Sequence, residues 1–303
     1  MTIQIFRNQP TFDFMGKRWI GFIFSIVLTI ASLGLVFTKG LNLGIDFTGG
    51  ILMEIHTEKE ADLAAMRGAL GTGEFGEVSL QNSGSPNDVM VRIQVTSEGD
   101  QSKTVEHVKS ILTGVMPDIT FRKVDYVGPT VGQELIRNGI IATMLSFAAI
   151  MVYVWFRFEW QYGIGAILAL LHDGIMVIGF FAVTRFEFGL TAVAAILTII
   201  GYSINDSVVI YDRIRESLRR FKKKEIMELL NLSINETLSR TILTASTTLL
   251  ASLALFLFGG EVIHGFSGAM VFGVIIGTYS SIYISAPTLL YLNIRSSTEN
   301  PKD

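Results

Sequence analysis

The sequence predicts an α-helical membrane protein with six spanning helices and a ferredoxin-like βαββαβ domain inserted between the first two. Three observations predict it. Six long apolar segments are separated by short polar ones; about a hundred residues after the first segment alternate strand-like and helix-like patterns; and Lys and Arg gather on one side of the resulting topology.

Half of the 303 residues are hydrophobic and 17% are charged, against about a quarter charged in soluble domains. The chain has no cysteine, which excludes disulfides, thiolate metal sites and cysteine catalysis. The first apolar run, Trp19 to Phe37, follows Lys17 and Arg18 and carries no charge. Its length of about 28 Å as a helix matches a hydrocarbon core. It is long for a signal-peptide core and no small-x-small cleavage site stands before Lys39, so it reads as a retained first helix.

Strand-like stretches follow at Ile51–His56, Glu77–Gln81, Val89–Val95 and Ile119–Tyr126, and helix-like ones at Lys59–Leu70 and Lys103–Met116. Leu63, Met66 and Leu70 recur at helical spacing, as do Val105, Val108, Ile111, Leu112 and Val115. Ser83–Asp88 reads as a hairpin loop. The order is the split βαβ plan. Further apolar segments cover about Asn138–Phe156, Tyr162–Val183, Gly189–Tyr211, Thr237–Phe258 and Phe266–Leu292.

Orientation follows from the positive-inside rule. Arg7, Lys17 and Arg18 precede the first span, seven Arg and Lys residues from Arg213 to Lys224 lie between the fourth and fifth, and Arg295 follows the sixth. The expectation is a cytoplasmic N-terminus and first helix (1–37), an extracytoplasmic α+β domain (38–135), a five-helix membrane domain (136–295) with a basic cytoplasmic loop (212–236), and a cytoplasmic tail (296–303). The inserted domain is acidic on balance, so no nucleic-acid partner is expected; the basic loop reads as a topology signal in contact with anionic membrane lipid.

Ionisable residues inside spans are costly and face a bundle interior or a wet cavity. The fourth span carries Asn205 and Asp206, the third His172 and Asp173, and the fifth Arg240. Asp206 lies six residues before Asp212, about 9 Å inside that boundary. Ser233-Ile234-Asn235-Glu236 has the capping-box pattern, and a fifth helix opening there puts Arg240 at matching depth. His172 falls about a helical turn deeper than Asp206. Burial favours a neutral carboxylate and a nearby Arg a charged one. An Asp206–Arg240 pair therefore fits either a proton-coupled switch or an ion pair that fixes helix packing.

Gly273 and Gly277 have GxxxG spacing, which reads as close helix packing. Thr241, Thr244, Ser246, Thr247 and Thr248 give the fifth span a polar side. Gly44, Asp46, Gly49 and Gly50 mark a turn after the first span, with Asp46 expected to cap or orient it. There is no Walker A, HExxH or GxSxG motif, and Asp173 and Asp206 lack the GxGD setting of an intramembrane aspartyl protease. No enzyme, metal or cofactor is expected.

The segments Gly44–Gly50, Leu171–Asp173, Gly201–Glu216, Thr237–Thr241 and Gly277–Tyr283 resemble the SecF branch of the SecD/SecF family of bacterial protein-export membrane proteins, over nearly the whole chain. The resemblance implies half of an RND-type bundle in the inner membrane, completed by SecD. It also implies work with the SecYEG channel, the SecA ATPase and YidC, and use of the proton-motive force to pull a translocating polypeptide outward. It ties Asp206 and Arg240 to proton passage and places a further acid on SecD. The competing expectation is a scaffold that carries no protons and holds SecD and YidC near the channel.

Overall fold

The computed structural model describes residues 10–71, 75, 78–94, 101–292 and 294. It divides into a helical unit, Met1–Asn42 with Thr143–Phe186 and Thr191–Asp303, and a sheet unit, Leu43–Ala142 with Glu187–Leu190.

Six helices are long and apolar enough to cross a membrane, making this a multi-pass membrane protein. They are α1 (Arg18–Lys39), α5 (Pro129–Arg157), α6 (Trp160–Thr184), α7 (Leu190–Arg220), α8 (Ile226–Phe258) and α9 (Glu261–Ser280), the last continuing through a π-helical turn at Ser281–Ser285. Helices α6, α7 and α9 bury much of their surface, whereas α1, α5 and α8 expose large apolar side chains such as Ile23, Met144, Trp155 and Leu250. Exposed apolar side chains suit hydrocarbon rather than water.

Helices α7 and α9 pack in parallel in a fixed register. A Cβ added to Gly273 would lie 2.4 Å from Ile199, and one added to Gly277 3.1 Å from Ser203. Further along, Ser207 meets Ser281 and Tyr211 meets Ser285, both pairs 74 residues apart. The two glycine contacts have the same separation, so one ridge of every fourth residue on each helix forms the seam. The GxxxG pair is the close-packing element expected from its spacing.

Several helix boundaries differ from those the sequence suggested. The basic segment 212–236 is mostly helical, with only 221–225 between α7 and α8. The capping-box pattern at Ser233–Glu236 lies inside α8, which opens at Ile226. Ser233 instead donates to Leu229 O, 2.9 Å, and Ser217 Oγ, 3.1 Å, while Glu236 takes Arg213 Nε at 2.6 Å. An internal partner was available for each side chain, so the local pattern did not start a helix. Arg157 pairs with Asp212 through two bonds, 2.7 and 2.9 Å, closing the same ionic layer.

The segment before α1 is strapped to α8. Asn235 accepts from Phe12 N, 2.9 Å, and donates to Phe12 O, 2.8 Å. One turn earlier, Asn231 accepts from Phe14 N and Met15 N and donates to Asp13 Oδ1, 2.7 Å. Asp13 also accepts from Gly16 N, 2.8 Å, and the Gly16 and Asn231 donors hold its carboxyl below the usual range.

The sheet unit has the order β2-β3-β1-β4, with all neighbours antiparallel. The strands are β1 (Gly50–His56), β2 (Val78–Ser83), β3 (Ser85–Ile93) and β4 (Thr120–Val127), with α3 (Leu63–Leu70) and α4 (Gln101–Val115) on one face and a short helical turn α2 (Ile45–Thr48) before β1. This is the ferredoxin-like plan. Ile51, Met53 and Ile55 of β1 meet Val89, Val91 and Ile93 of β3, and Met66, Leu70, Val108 and Leu112 of the helices close the core. α3 begins at Leu63, the first residue of the apolar spacing, and not at Lys59, because Asp62 caps the amides of Ala64, 3.0 Å, and Ala65, 2.9 Å. The hairpin is tighter than Ser83–Asp88: Ser83 pairs with Ser85 across Gly84, whose φ is 74°. Pro86 and Asn87 belong to β3 without a ladder partner, so the missing proline N–H breaks no ladder bond. The expected strand ends at Glu77 and Val95, together with Arg7, Arg295 and the 296–303 tail, lie outside the described residues.

Two measurements check this packing. Gly273→Leu/Gly277→Val should overpack the seam at a cost of about 1–3 kcal/mol. Its midpoint in detergent, read by size exclusion after heating, should fall, whereas Gly34→Leu, with nothing within 4 Å of the added Cβ, should leave it unchanged. The N-terminal strap has a pH signature. Asp13 titrates below its ordinary value in the fold, so its contribution is complete at neutral pH and is lost as pH falls below about 4. Hydrogen exchange at Phe14, Met15 and Gly16 should rise in that window, and at pH 7 in Asn231→Ala.

Candidate functional site

The inner helices α6, α7 and α9 meet around a buried carboxylate. Asp173 of α6 is fully buried. Its Oδ2 accepts from Ser203 Oγ of α7, 2.6 Å, and from Ser280 Oγ of α9, 2.7 Å. Its Oδ1 lies 3.0 Å from His172 Nδ1. An unpaired carboxylate in an apolar interior costs several kcal/mol or more, and hydrogen bonds to a charged acceptor offset this by about 1.5–3 kcal/mol each. Three donors from three helices make Asp173 the joint of the bundle. His172 is itself buried, and its Nε2 has no hydrogen-bond partner among the described residues.

Asp206 lies three residues along α7 from Ser203 and is 7% exposed. Thr241 of α8 donates to its Oδ1 at 2.7 Å, while Oδ2 has no hydrogen-bond partner among the described residues. Among the described residues Asp206 and Arg240 form no ion pair: Thr241 holds the acid, and Arg240 is exposed, though near enough for its charge to act on Asp206. Adjacent helical residues point about 100° apart, so a helix that turns Thr241 onto α7 turns Arg240 away. The same geometry separates Asn205 from its neighbour; Asn205 is exposed and Asp206 buried. The structure thus brings His172 and Asp173 together, puts Asp206 on the next turn of α7, and leaves Asn205 and Arg240 on the outer surface of this chain.

Beyond Asp206 the seam continues in hydroxyls. Ser207 Oγ lies 3.0 Å from Ser281 Oγ, and the Tyr211 hydroxyl meets Ser285 Oγ. Tyr211 packs edge-on to Tyr162 at 5.1 Å. The π-helical turn coincides with Ser281–Ser285, and such turns recur at functional sites. Sequence reasoning missed the serines and Tyr211. The four-residue spacing of Ser203, Ser207 and Tyr211 was a readable signal, but only the parallel register shows what they face. No group of three or more metal-ligating side chains occurs among the described residues.

The turn after α1 is a second constellation. Gly50 has φ 122°, and a Cβ there would lie 2.3 Å from Ile93 O; Gly49 has φ 69°. Both positions require glycine. Asp46 Oδ2 accepts from Leu190 N, 2.8 Å, and Gly44 N donates to Phe188 O, 3.0 Å.

A six-span membrane protein with a split βαβ domain and buried acids on its third and fourth spans is the class that this fold and site define. Residues 107–295 match the family model for the protein export membrane protein SecD/SecF C-terminal region, and 34–61 match the SecD/SecF GG motif. The protein translocase subunit SecF of Rickettsia akari is 52% identical over 288 residues, covering 95% of this chain and 94% of that one. The SecF subunit of Rickettsia prowazekii is 53% identical over 283 residues, covering 93% and 91%. The crystal structure of SecDF from Thermus thermophilus is similar with a TM-score of 0.86 and 36% identity over 95% of this chain. A crystal structure of SecDF in a super-membrane-facing form is similar with a TM-score of 0.70 and 36% identity over 97% of this chain. The chain spans 40% of the length of those SecDF chains. The chain belongs to the SecD/SecF family, on its SecF side.

Two substitutions separate the acids. Asp173→Leu removes the acceptor for Ser203, Ser280 and His172 and should lower the amount of folded protein in membranes. Asp206→Asn keeps an acceptor for Thr241 and should leave that amount unchanged, as read by immunoblot of membrane fractions.

Proposed function

We propose that this chain is the SecF subunit of a SecDF complex that uses the proton-motive force to assist late-stage protein translocation across the bacterial inner membrane. The observation that carries the reading is Asp206, a buried acid inside a spanning helix with one oxygen held by Thr241 and the other unbonded. A carboxylate so placed can take and release a proton without breaking its existing bond. His172 and Asp173 form the adjoining polar joint. Asn205 and Arg240 lie on exposed faces of neighbouring helices and suit contact with groups from outside this chain.

The chain's span of 40% of SecDF supports a SecD partner. In this reading the complex works beside SecYEG, SecA and YidC on the emerging polypeptide. Both termini, the Arg-rich end of α7 and the start of α8 are cytoplasmic, and the sheet unit is extracytoplasmic. The gathering of Arg157, Arg213, Arg215, Arg219 and Arg220 near one end of α5 and α7 agrees with that orientation. The chain acts as a transport component, with no enzymatic step or cofactor assigned.

Export driven by a proton-motive force in vesicles tests the reading. Asp206→Asn should reduce the force-dependent component by about tenfold or more, the range of a lost proton-transfer group. Thr241→Val should reduce it less. Undiminished export by Asp206→Asn would sink the proton role and favour the scaffold that holds SecD and YidC near the channel.

A further inference from the structure

Leu190 opens α7, the helix that carries Asp206, and the residue before it is Gly189, which has no side chain to cap the helix. The cap comes from 144 residues away: Asp46 Oδ2 accepts from Leu190 N at 2.8 Å. A carboxylate at a helix N-terminus is stabilised by the free amides and the helix dipole. A Cβ on residue 189 would lie 2.6 Å from that same Oδ2. The backbone of Gly189 is not left-handed, so it is the Asp46 carboxylate that keeps a side chain out of this position.

The tie does not rest on one bond. Leu43 and Phe188 form a parallel bridge, Gly44 N donates to Phe188 O, and the Phe47 and Phe188 rings stand 6.1 Å apart. Arg92 of β3 pairs with Glu187 at 3.0 Å and donates to Leu43 O at 3.0 Å. Residues 187–190 therefore belong to the sheet unit, although the helix they open continues for thirty residues beyond Leu190. Asp206 lies sixteen residues along that helix, about 24 Å.

We propose that Asp46 is a positioning residue that fastens the first residue of α7 to the Gly44–Gly50 turn, and that force-dependent export needs this attachment and not merely a capped helix. The inference rests on the export reading. In it the Gly44–Gly50 turn is the anchor: Gly49 and Gly50 give the backbone path beside Asp46, and Gly189 leaves the space that receives its carboxylate. A carboxylate that merely capped a helix could equally have been residue 189 itself.

That alternative supplies the test. Asp46→Ala removes the cap and the one bond by which the turn holds the α7 backbone, leaving the contacts of Leu43, Gly44, Phe47 and Arg92 in place. Asp46→Ala/Gly189→Asp returns a local cap but not that bond. Both are compared with the native chain, together with the SecD-type subunit, in vesicles bearing a proton-motive force, with export normalised to the amount of complex. The expected result is that the double variant accumulates like the native chain yet loses most force-dependent export. Export restored by the local cap, or retained in Asp46→Ala, overturns the proposal. Because the chain has no cysteine, a second measurement keeps Asp46 intact: Leu43→Cys/Phe188→Cys is oxidised to close the bridge permanently. A tie that stays shut tolerates the cross-link with export unchanged, whereas arrest that a reductant reverses overturns the proposal. Asp206→Asn runs alongside. Its undiminished export would remove the proton reading while the cap and cross-link outcomes still decide the tie.

Discussion

The bundle depends on the acceptor capacity of one buried side chain. Asp173 has a hydroxyl donor from each of two neighbouring helices and the imidazole of its own. Without the hydrophobic effect to drive helix association in a bilayer, close packing and interhelical hydrogen bonds supply the specificity. The glycines and serines of the α7–α9 seam are the two halves of that solution. Gly273 and Gly277 let the backbones approach, and approach brings Ser203 and Ser280 within reach of the same carboxylate oxygen. Larger residues in the seam would lengthen both bonds together.

Much of this was legible in the sequence, for reasons that can be stated residue by residue. Spans are set by hydropathy, and all six segments recur. The split βαβ order followed from period-two and helical spacings that correspond to the observed core, Ile51, Met53 and Ile55 against Met66, Leu70 and Leu112. Boundaries failed where a side-chain partner decided them. Asp62 capped α3 at Leu63, the first residue of its apolar spacing, instead of at Lys59, and Ser217 and Arg213 engaged the residues of a capping pattern that is interior to α8. Depth along a helix could be estimated from the sequence, but azimuth could not. Arg240 and Asp206 were therefore paired by level, whereas the rotation of α8 presents Thr241.

The same distinction explains what the Gly44–Gly50 turn concealed. A sequence shows that two glycines after a span permit unusual backbone angles, and here both are used. It does not show that the aspartate before them reaches an amide in another segment. Gly189 carried no signal of this role, because a glycine at the start of the apolar segment Gly189–Tyr211 reads as an ordinary first residue of a span. Its meaning lies in the oxygen that occupies its side-chain position.

The two intramembrane acids differ in how much must change when their charge changes. Asp173 is an acceptor on both oxygens, so protonating it forces at least one donor to turn away and loosens a joint between three helices. Asp206 is engaged on one oxygen only, and a proton on the other disturbs no bond. On the proposed reading this divides the work: Asp173 keeps the helices in register while Asp206 alternates. Alternation alone does nothing outside the membrane unless the helix bearing it is held at its far end. Among the contacts that hold the first residue of α7, the Asp46 carboxylate is the one that takes hold of the helix backbone itself. On the proposed reading that gives the glycine-rich turn of this chain a mechanical reason for Asp46, where any capping residue would serve a helix that only needed to begin.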